Sequence, residues 1–149
     1  ALSVKLKHNI NRDLVQGKKI ILIDDSIVRG TTSTKIINML REAGAQEIHM
    51  RITAPPIKYP DFYGIDTPIQ EQLLAANNSI EEICDFLKAD SISFLSVNGL
   101  YKAMGHKNGR DDDKPAFTDH CFTGEYPTKL RDRESSEEFS QLSLLSNLE

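Results

Sequence analysis

Four apolar residues in a row, Ile20-Ile21-Leu22-Ile23, are the first strong feature of the chain. A continuous β-branched run of this length predicts a strand covered on both faces of a parallel sheet. Ile36, Ile37, Leu40 and Ala43 then recur at helical spacing, with Thr32 or Ser33 placed to cap the helix. Gly44 follows, where a left-handed residue ends one. Ile48, Met50 and Ile52 alternate with Glu47, His49 and Arg51, the two-residue period of a second strand. Strand, loop, helix and strand make a βαβ unit, for which a right-handed crossover is expected.

Pro55-Pro56 and Pro60 close that strand and open an irregular stretch to Thr67. Thr67-Pro68-Ile69-Gln70 carries the marks of a helix start: a capping hydroxyl, a first-turn proline and a capping-box glutamine. Ser79 and Glu82 repeat the device ahead of Ile80, Ile83 and Leu87 on one helical face. Ser91 to Leu95 reads as a short strand, and Ser96 caps a helix that turns Val97, Leu100, Tyr101 and Met104 inward. Residues 1–17 read as a loop or short hairpin, and Lys107 to Pro115 as a charged turn. After Lys129 the chain is charged and serine-rich, with Leu142, Leu144, Leu145 and Leu148 predicting a terminal helix that docks on the core, a neighbouring subunit or another domain. The expected organisation is α/β: a parallel sheet with flanking helices over 1–129, and a mainly helical extension or tail over 130–149.

Composition narrows the function classes. With 149 residues, 39% of them hydrophobic and 27% charged, the chain is an ordinary globular one that needs no disulfide or metal staple. A net charge of −4 with 18 scattered basic residues argues against nucleic acid as a partner. The two cysteines, Cys84 and Cys121, lack zinc-site spacing and fit a reducing compartment. The sequence holds no apolar run of membrane-spanning length and no signal peptide, so a cytoplasmic, membrane-free protein is expected.

The chemistry is concentrated where the first strand ends: Asp24, Asp25, Ser26, Ile27, Val28, Arg29, Gly30, Thr31, Thr32 and Ser33. Ligands of open α/β sheets bind beyond the carboxyl ends of the strands. Free amides at a helix start favour an anion by roughly 0.3–1 kcal/mol, up to about 2 when partly buried. Gly30 admits a positive φ and a close backbone approach to phosphate, Thr31 to Ser33 add hydroxyls, and Arg29 adds charge. Asp24 and Asp25 accept hydrogen bonds from vicinal hydroxyls or hold a hard cation such as Mg²⁺. A phosphate cradle beside a diol acceptor implies a phosphorylated sugar. A merely polar turn after a core strand is the plain alternative. Walker and dinucleotide glycine patterns are absent.

Residues 21–33, ILIDDSIVRGTTS, resemble the phosphoribosyl-pyrophosphate motif of type I phosphoribosyltransferases, and the Ser-Ile-Val-Arg filling is like that of the glutamine phosphoribosylpyrophosphate amidotransferases (amidophosphoribosyltransferases). The stretches APPIKYPDFYGIDTP (54–68), FLSVNGL (94–100) and CFTGEYPT (121–128) are similar to the same family. The resemblance implies transfer of ammonia, drawn from glutamine, to phosphoribosyl pyrophosphate, giving 5-phosphoribosylamine and pyrophosphate, the first step of purine synthesis. By resemblance Asp24 and Asp25 hold the ribose hydroxyls and help bind Mg²⁺, and Arg29 to Ser33 grip the 5′-phosphate. None is a nucleophile, so no catalytic residue is assigned; these residues position and stabilise charge.

The family implies further partners: purine nucleotides as feedback inhibitors, an N-terminal glutaminase domain with a leading cysteine, and a homo-oligomer, tetrameric in relatives. Residue 1 here is alanine, and residues 3–18 are similar only to the tail of the family's closing flap. The expectation is a fragment, inactive alone as a synthetase. One branch of the family binds an iron–sulfur cluster. Thr118 and Asp61 stand at two of its cysteine positions here and only Cys121 remains, so no cluster is expected.

Other residues read more plainly. Asp119-His120-Cys121 is expected to be structural rather than a metal or nucleophile pair. His8, His49 and His106 read as surface residues, Cys84 as inert packing, and Asp111 to Asp113 as a solvated turn. A base-salvage phosphoribosyltransferase and a non-catalytic module that binds phosphoribosyl pyrophosphate or nucleotide are the competing readings.

Overall fold

The computed structural model describes residues 10–130 except 66 and 68. Three parallel strands, β1 (Lys19–Asp24), β2 (Glu47–Ile52) and β3 (Ser91–Phe94), lie in the order β1-β2-β3. The register puts Ile20 beside Ile48 and Leu22 beside Met50, and Met50 beside Ile92, so one face of the sheet is apolar across all three strands. α2 (Thr31–Glu42) and α4 (Ile80–Leu87) supply Ile37, Leu40, Ile83 and Leu87 to that core. Ile37, Ile48, Met50, Ile83 and Leu87 are all fully buried. The βαβ unit and the alternation of β2 therefore follow the sequence pattern.

Several local signals also hold. Gly44 takes φ +92° just past α2. Ser79 and Glu82 form a reciprocal capping box, with the Ser79 amide donating to Glu82 Oε2 at 2.7 Å and the Glu82 amide to Ser79 Oγ at 3.2 Å. Ser96 caps α5 (Val97–Ala103) through the Gly99 amide at 2.9 Å, and Tyr101 points inward, 1% exposed.

Other expectations need correction. Among the described residues β1 is not covered on both faces: Ile21 and Ile23 are each 67% exposed. α2 and α4 pack on the apolar face, and the other carries a polar row beside those isoleucines. There Glu47 bonds Lys19 and His49, and His49 bonds Ser91 at 2.9 Å, so His49 is a half-buried, bonded residue. Residues 12–15 are neither loop nor hairpin. They form a single helical turn, α1 (Arg12–Val15), capped by Asn11 and anchored by buried Val15.

Thr67 does not cap a helix. Its hydroxyl accepts the Asp61 amide at 3.3 Å, and a 3₁₀ turn starts only at Gln70, followed by α3 (Leu74–Asn77). The buried loop amide outcompetes a helix that has not yet begun. Ile80, 38% exposed, and Met104, 60% exposed and past the end of α5, are less buried than their spacing predicts. The leucines of the tail and His8 lie outside the described residues. No helix among the described residues is long and apolar enough to cross a membrane.

Candidate sugar-phosphate site

The carboxyl end of β1 delivers the chain into a turn whose own carboxylates fold back on it. Asp24 Oδ1 accepts the Asp25 amide at 3.0 Å, and Asp25 Oδ1 accepts the Ser26 amide at 2.6 Å. β2 adds a brace, since the Thr53 amide donates to the Asp24 carbonyl at 3.0 Å. Ile27 is then driven into the core, 3% exposed, and pins the middle of the loop. Asp24 through Ser33 together line one cavity of about 300 Å³. The ten residues picked from the sequence are thus assembled around a single space.

Their contributions are unequal. Thr31, Thr32, Arg29 and Asp25 are exposed, Asp24, Ser26 and Val28 are half-buried, and Ser33 is only 3% exposed. Neither Thr32 nor Ser33 caps α2. Gly30 occupies the N-cap at φ +73° with no side chain to offer, so α2 begins two residues earlier than a Thr32 cap predicts and three earlier than a Ser33 cap. The amides of Thr31, Thr32 and Ser33 lie in the first turn, where no intrahelical acceptor exists. Thr34 closes the turn from inside, its hydroxyl donating to the Gly30 carbonyl at 2.9 Å.

Gly30 has a second reason to be glycine. A Cβ there would lie 2.8 Å from Leu74 Cδ2 and 3.0 Å from Phe86 Cε1, side chains of α3 and α4. The crowding comes from the protein behind the loop and adds to the demand for positive φ.

Residues distant in sequence complete the site. The Leu74 amide donates to the Val28 carbonyl at 2.8 Å, and Arg29 Nε donates to Gln72 Oε1 at 2.9 Å. No local signal pointed to Gln72, which is 43 residues from Arg29.

The chemistry of the donors is compatible with Mg²⁺. Asp24 and Asp25 each use Oδ1 within the turn and keep a second carboxylate oxygen, and Mg²⁺ is commonly held by one or two carboxylates plus substrate phosphates and water. Accordingly, no group of three or more His, Cys, Asp or Glu among the described residues forms a metal cage.

Over 148 residues the chain is 51% identical to the amidophosphoribosyltransferase of Rhizobium etli, a match covering 99% of this chain and 30% of the relative. This chain is homologous to part of the amidophosphoribosyltransferases. The Bacillus subtilis amidophosphoribosyltransferase is 51% identical over 127 residues, 85% of this chain and 26% of that protein. The solved structure of the B. subtilis glutamine phosphoribosylpyrophosphate amidotransferase, complexed with ADP and GMP, superposes with a TM-score of 0.72 at 47% identity, covering 87% of this chain and 29% of that one. No protein-family model matches. The chain therefore spans about a quarter to a third of the length of these amidophosphoribosyltransferases. Its parallel sheet and helices have the phosphoribosyltransferase-like fold of that enzyme.

A second polar centre lies at Asp61 and the segment from Tyr101 to Glu125. Asp61, 6% exposed, accepts the amides of Tyr63, Gly64 and Ile65 on Oδ1 and faces His120 Nε2 at 2.8 Å. Burial pushes the Asp61 carboxyl up, but the Ile65 and Tyr63 amides and His120 outweigh it and hold it below its ordinary range. Asp119 accepts from Arg110 Nε at 2.7 Å and from the Tyr101 hydroxyl at 2.8 Å. These partnerships give Asp119 and His120 structural roles, as their sequence context predicts. Burial raises the Cys84 and Cys121 thiols, and Cys84 donates to the Ala89 carbonyl, in keeping with inert packing. The charged turn from Lys107 hides a residue the sequence did not single out: the Arg110 side chain is 6% exposed and bonded to Asp112, Asp119 and Glu125.

Proposed function

We propose that this chain supplies the ribose 5-phosphate-binding part of an amidophosphoribosyltransferase, the enzyme that joins ammonia to phosphoribosyl pyrophosphate to give 5-phosphoribosylamine and pyrophosphate. The observation that carries the reading is the assembly of Asp24 to Ser33 around one cavity at the end of β1, within a sequence 51% identical to such an enzyme. The matched stretch is 30% of the Rhizobium relative, and we assign to it the sugar-phosphate side of the reaction, not the release of ammonia from glutamine.

The 5-phosphate sits on the amides and hydroxyls of Thr31, Thr32 and Ser33, with the Arg29 guanidinium adding charge. A helix start contributes about 0.3–1 kcal/mol toward an anion, so the phosphate needs Arg29 and the hydroxyls as well. Asp24 and Asp25 take the ribose hydroxyls on their outer oxygens. Asp24 and Asp25 would also hold Mg²⁺, which when bound would supply positive charge against the leaving pyrophosphate. Cationic character at the anomeric carbon, as in other glycosyl transfers, grows beside the same two carboxylates. Purine nucleotides carry the same 5′-phosphate on ribose, and the B. subtilis structure was solved with ADP and GMP. Feedback by such nucleotides, a homo-oligomeric assembly and a cytoplasmic site of action complete the proposal.

Calorimetric titration with phosphoribosyl pyrophosphate, with and without Mg²⁺, tests it. Asp25→Asn keeps an acceptor for the Ser26 amide but removes the charge, and binding of sugar phosphate and of Mg²⁺ should weaken together. Heat of binding that is absent in the native chain, or unchanged in the variant, refutes the assignment. A free purine that binds at the site in place of ammonia would instead favour a base-salvage enzyme.

A further inference from the structure

We infer that Gln72 is a positioning residue for Arg29, orienting its guanidinium toward the phosphate. The inference rests on the sugar-phosphate reading above and adds a residue from outside the phosphate loop.

Arg29 is exposed, and a free arginine side chain on a surface samples many rotamers. Here its Nε–H is taken by Gln72 Oε1 at 2.9 Å. The guanidinium is planar, so fixing Nε fixes the plane, and four N–H groups on the two terminal nitrogens remain for a ligand. The acceptor is an uncharged amide, which leaves the full positive charge available. Arg41 and Arg110 contrast with it, since both are bonded to carboxylates that compensate them.

Gln72 is itself held in place. It ends the 3₁₀ turn Gln70–Gln72, and the next residue, Leu73, is 1% exposed. Asn77 Nδ2 reaches the carbonyls of Glu71 at 3.1 Å and Leu73 at 3.0 Å, stiffening the turn from behind. The Leu74 amide then bonds the Val28 carbonyl at 2.8 Å, one residue before Arg29. Backbone and side chain thus tie this turn to the phosphate loop at neighbouring points, and the Gln72 acceptor stands at a fixed place relative to Arg29.

The test is a double-mutant cycle on the chain with ribose 5-phosphate as the probe, read by calorimetry, together with the ¹⁵Nε–H resonance of Arg29 and the melting temperature. Gln72→Met keeps the length and removes the acceptor. It should weaken ribose 5-phosphate binding about three- to tenfold, the range one hydrogen bond supports, while melting stays unchanged and the Arg29 Nε–H signal shifts and broadens. In the Arg29→Ala background the same substitution should change nothing further. If the native chain binds, the inference alone is overturned by three results: Gln72→Met binding as the native chain does, an equal loss in both backgrounds, or Arg29→Ala without effect. A native chain that fails to bind ribose 5-phosphate overturns the sugar-phosphate reading, and this inference with it.

Discussion

The Asp61 carboxylate and His120 Nε2 meet at 2.8 Å with both side chains buried, joining the proline-rich loop after β2 to the segment that begins α6 (His120–Thr123). His120 Nδ1 is buried without a hydrogen-bond partner. The Asp61 charge is held by four N–H donors: His120 and the amides of Tyr63, Gly64 and Ile65.

Acid stability should report this centre. The folded Asp61 carboxyl lies below its ordinary value of 3.8, because the Ile65 and Tyr63 amides and His120 outweigh its burial. A depressed folded value adds stability that is complete above 3.8 and is lost as pH falls through the lower folded value. Urea midpoints should drop across that acid range, and less steeply in Asp61→Asn. Asp61→Ala strands the donors and should cost about 3–5 kcal/mol at neutral pH. An Asp61→Ala urea curve matching the native one would refute the account.

Gly30 offers a second test. Under the proposed function, Gly30→Val should block the phosphate. With a Cβ placed 2.8 Å from Leu74 and a φ of +73°, the substitution should strain the fold as well. The left-handed backbone costs about 1–2 kcal/mol and overpacking about 1–3, together about 2–5 kcal/mol in a urea titration. Gly30→Ala, combined with Leu74→Ala to make room, should recover the packing part and keep the backbone part.

Arg110 and Asp119 give the third. Their side chains are 6% and 5% exposed, and Asp119 is held below its ordinary range by Arg110 and the Tyr101 hydroxyl against the opposing effect of burial. Arg110→Met leaves that carboxylate uncompensated and should destabilise the chain by about 3–5 kcal/mol in urea. Adding Asp119→Leu should return part of the loss, because an apolar pair replaces a buried ionic one at little net cost. A double variant no more stable than Arg110→Met alone would contradict this.

Features with local causes were legible in the residues. The Ser79–Glu82 capping box, the Gly44 helix stop and the alternation of β2 each depend on side chains within a few positions of one another. The loop from Asp24 to Ser33 belongs with them, since acidic pair, glycine and hydroxyls lie within ten consecutive positions that line one cavity. Tertiary structure decided the rest. That Ile21 and Ile23 stand exposed depends on what packs against β1, which an apolar run does not encode. Leu74 and Phe86 crowding Gly30, Gln72 holding Arg29, and Arg110 buried on Asp119 each join residues that only the folded chain brings together. Hydrogen bonds and contacts of a few ångströms decide these pairings, and sequence spacing carries no measure of such distances once the chain has turned back on itself.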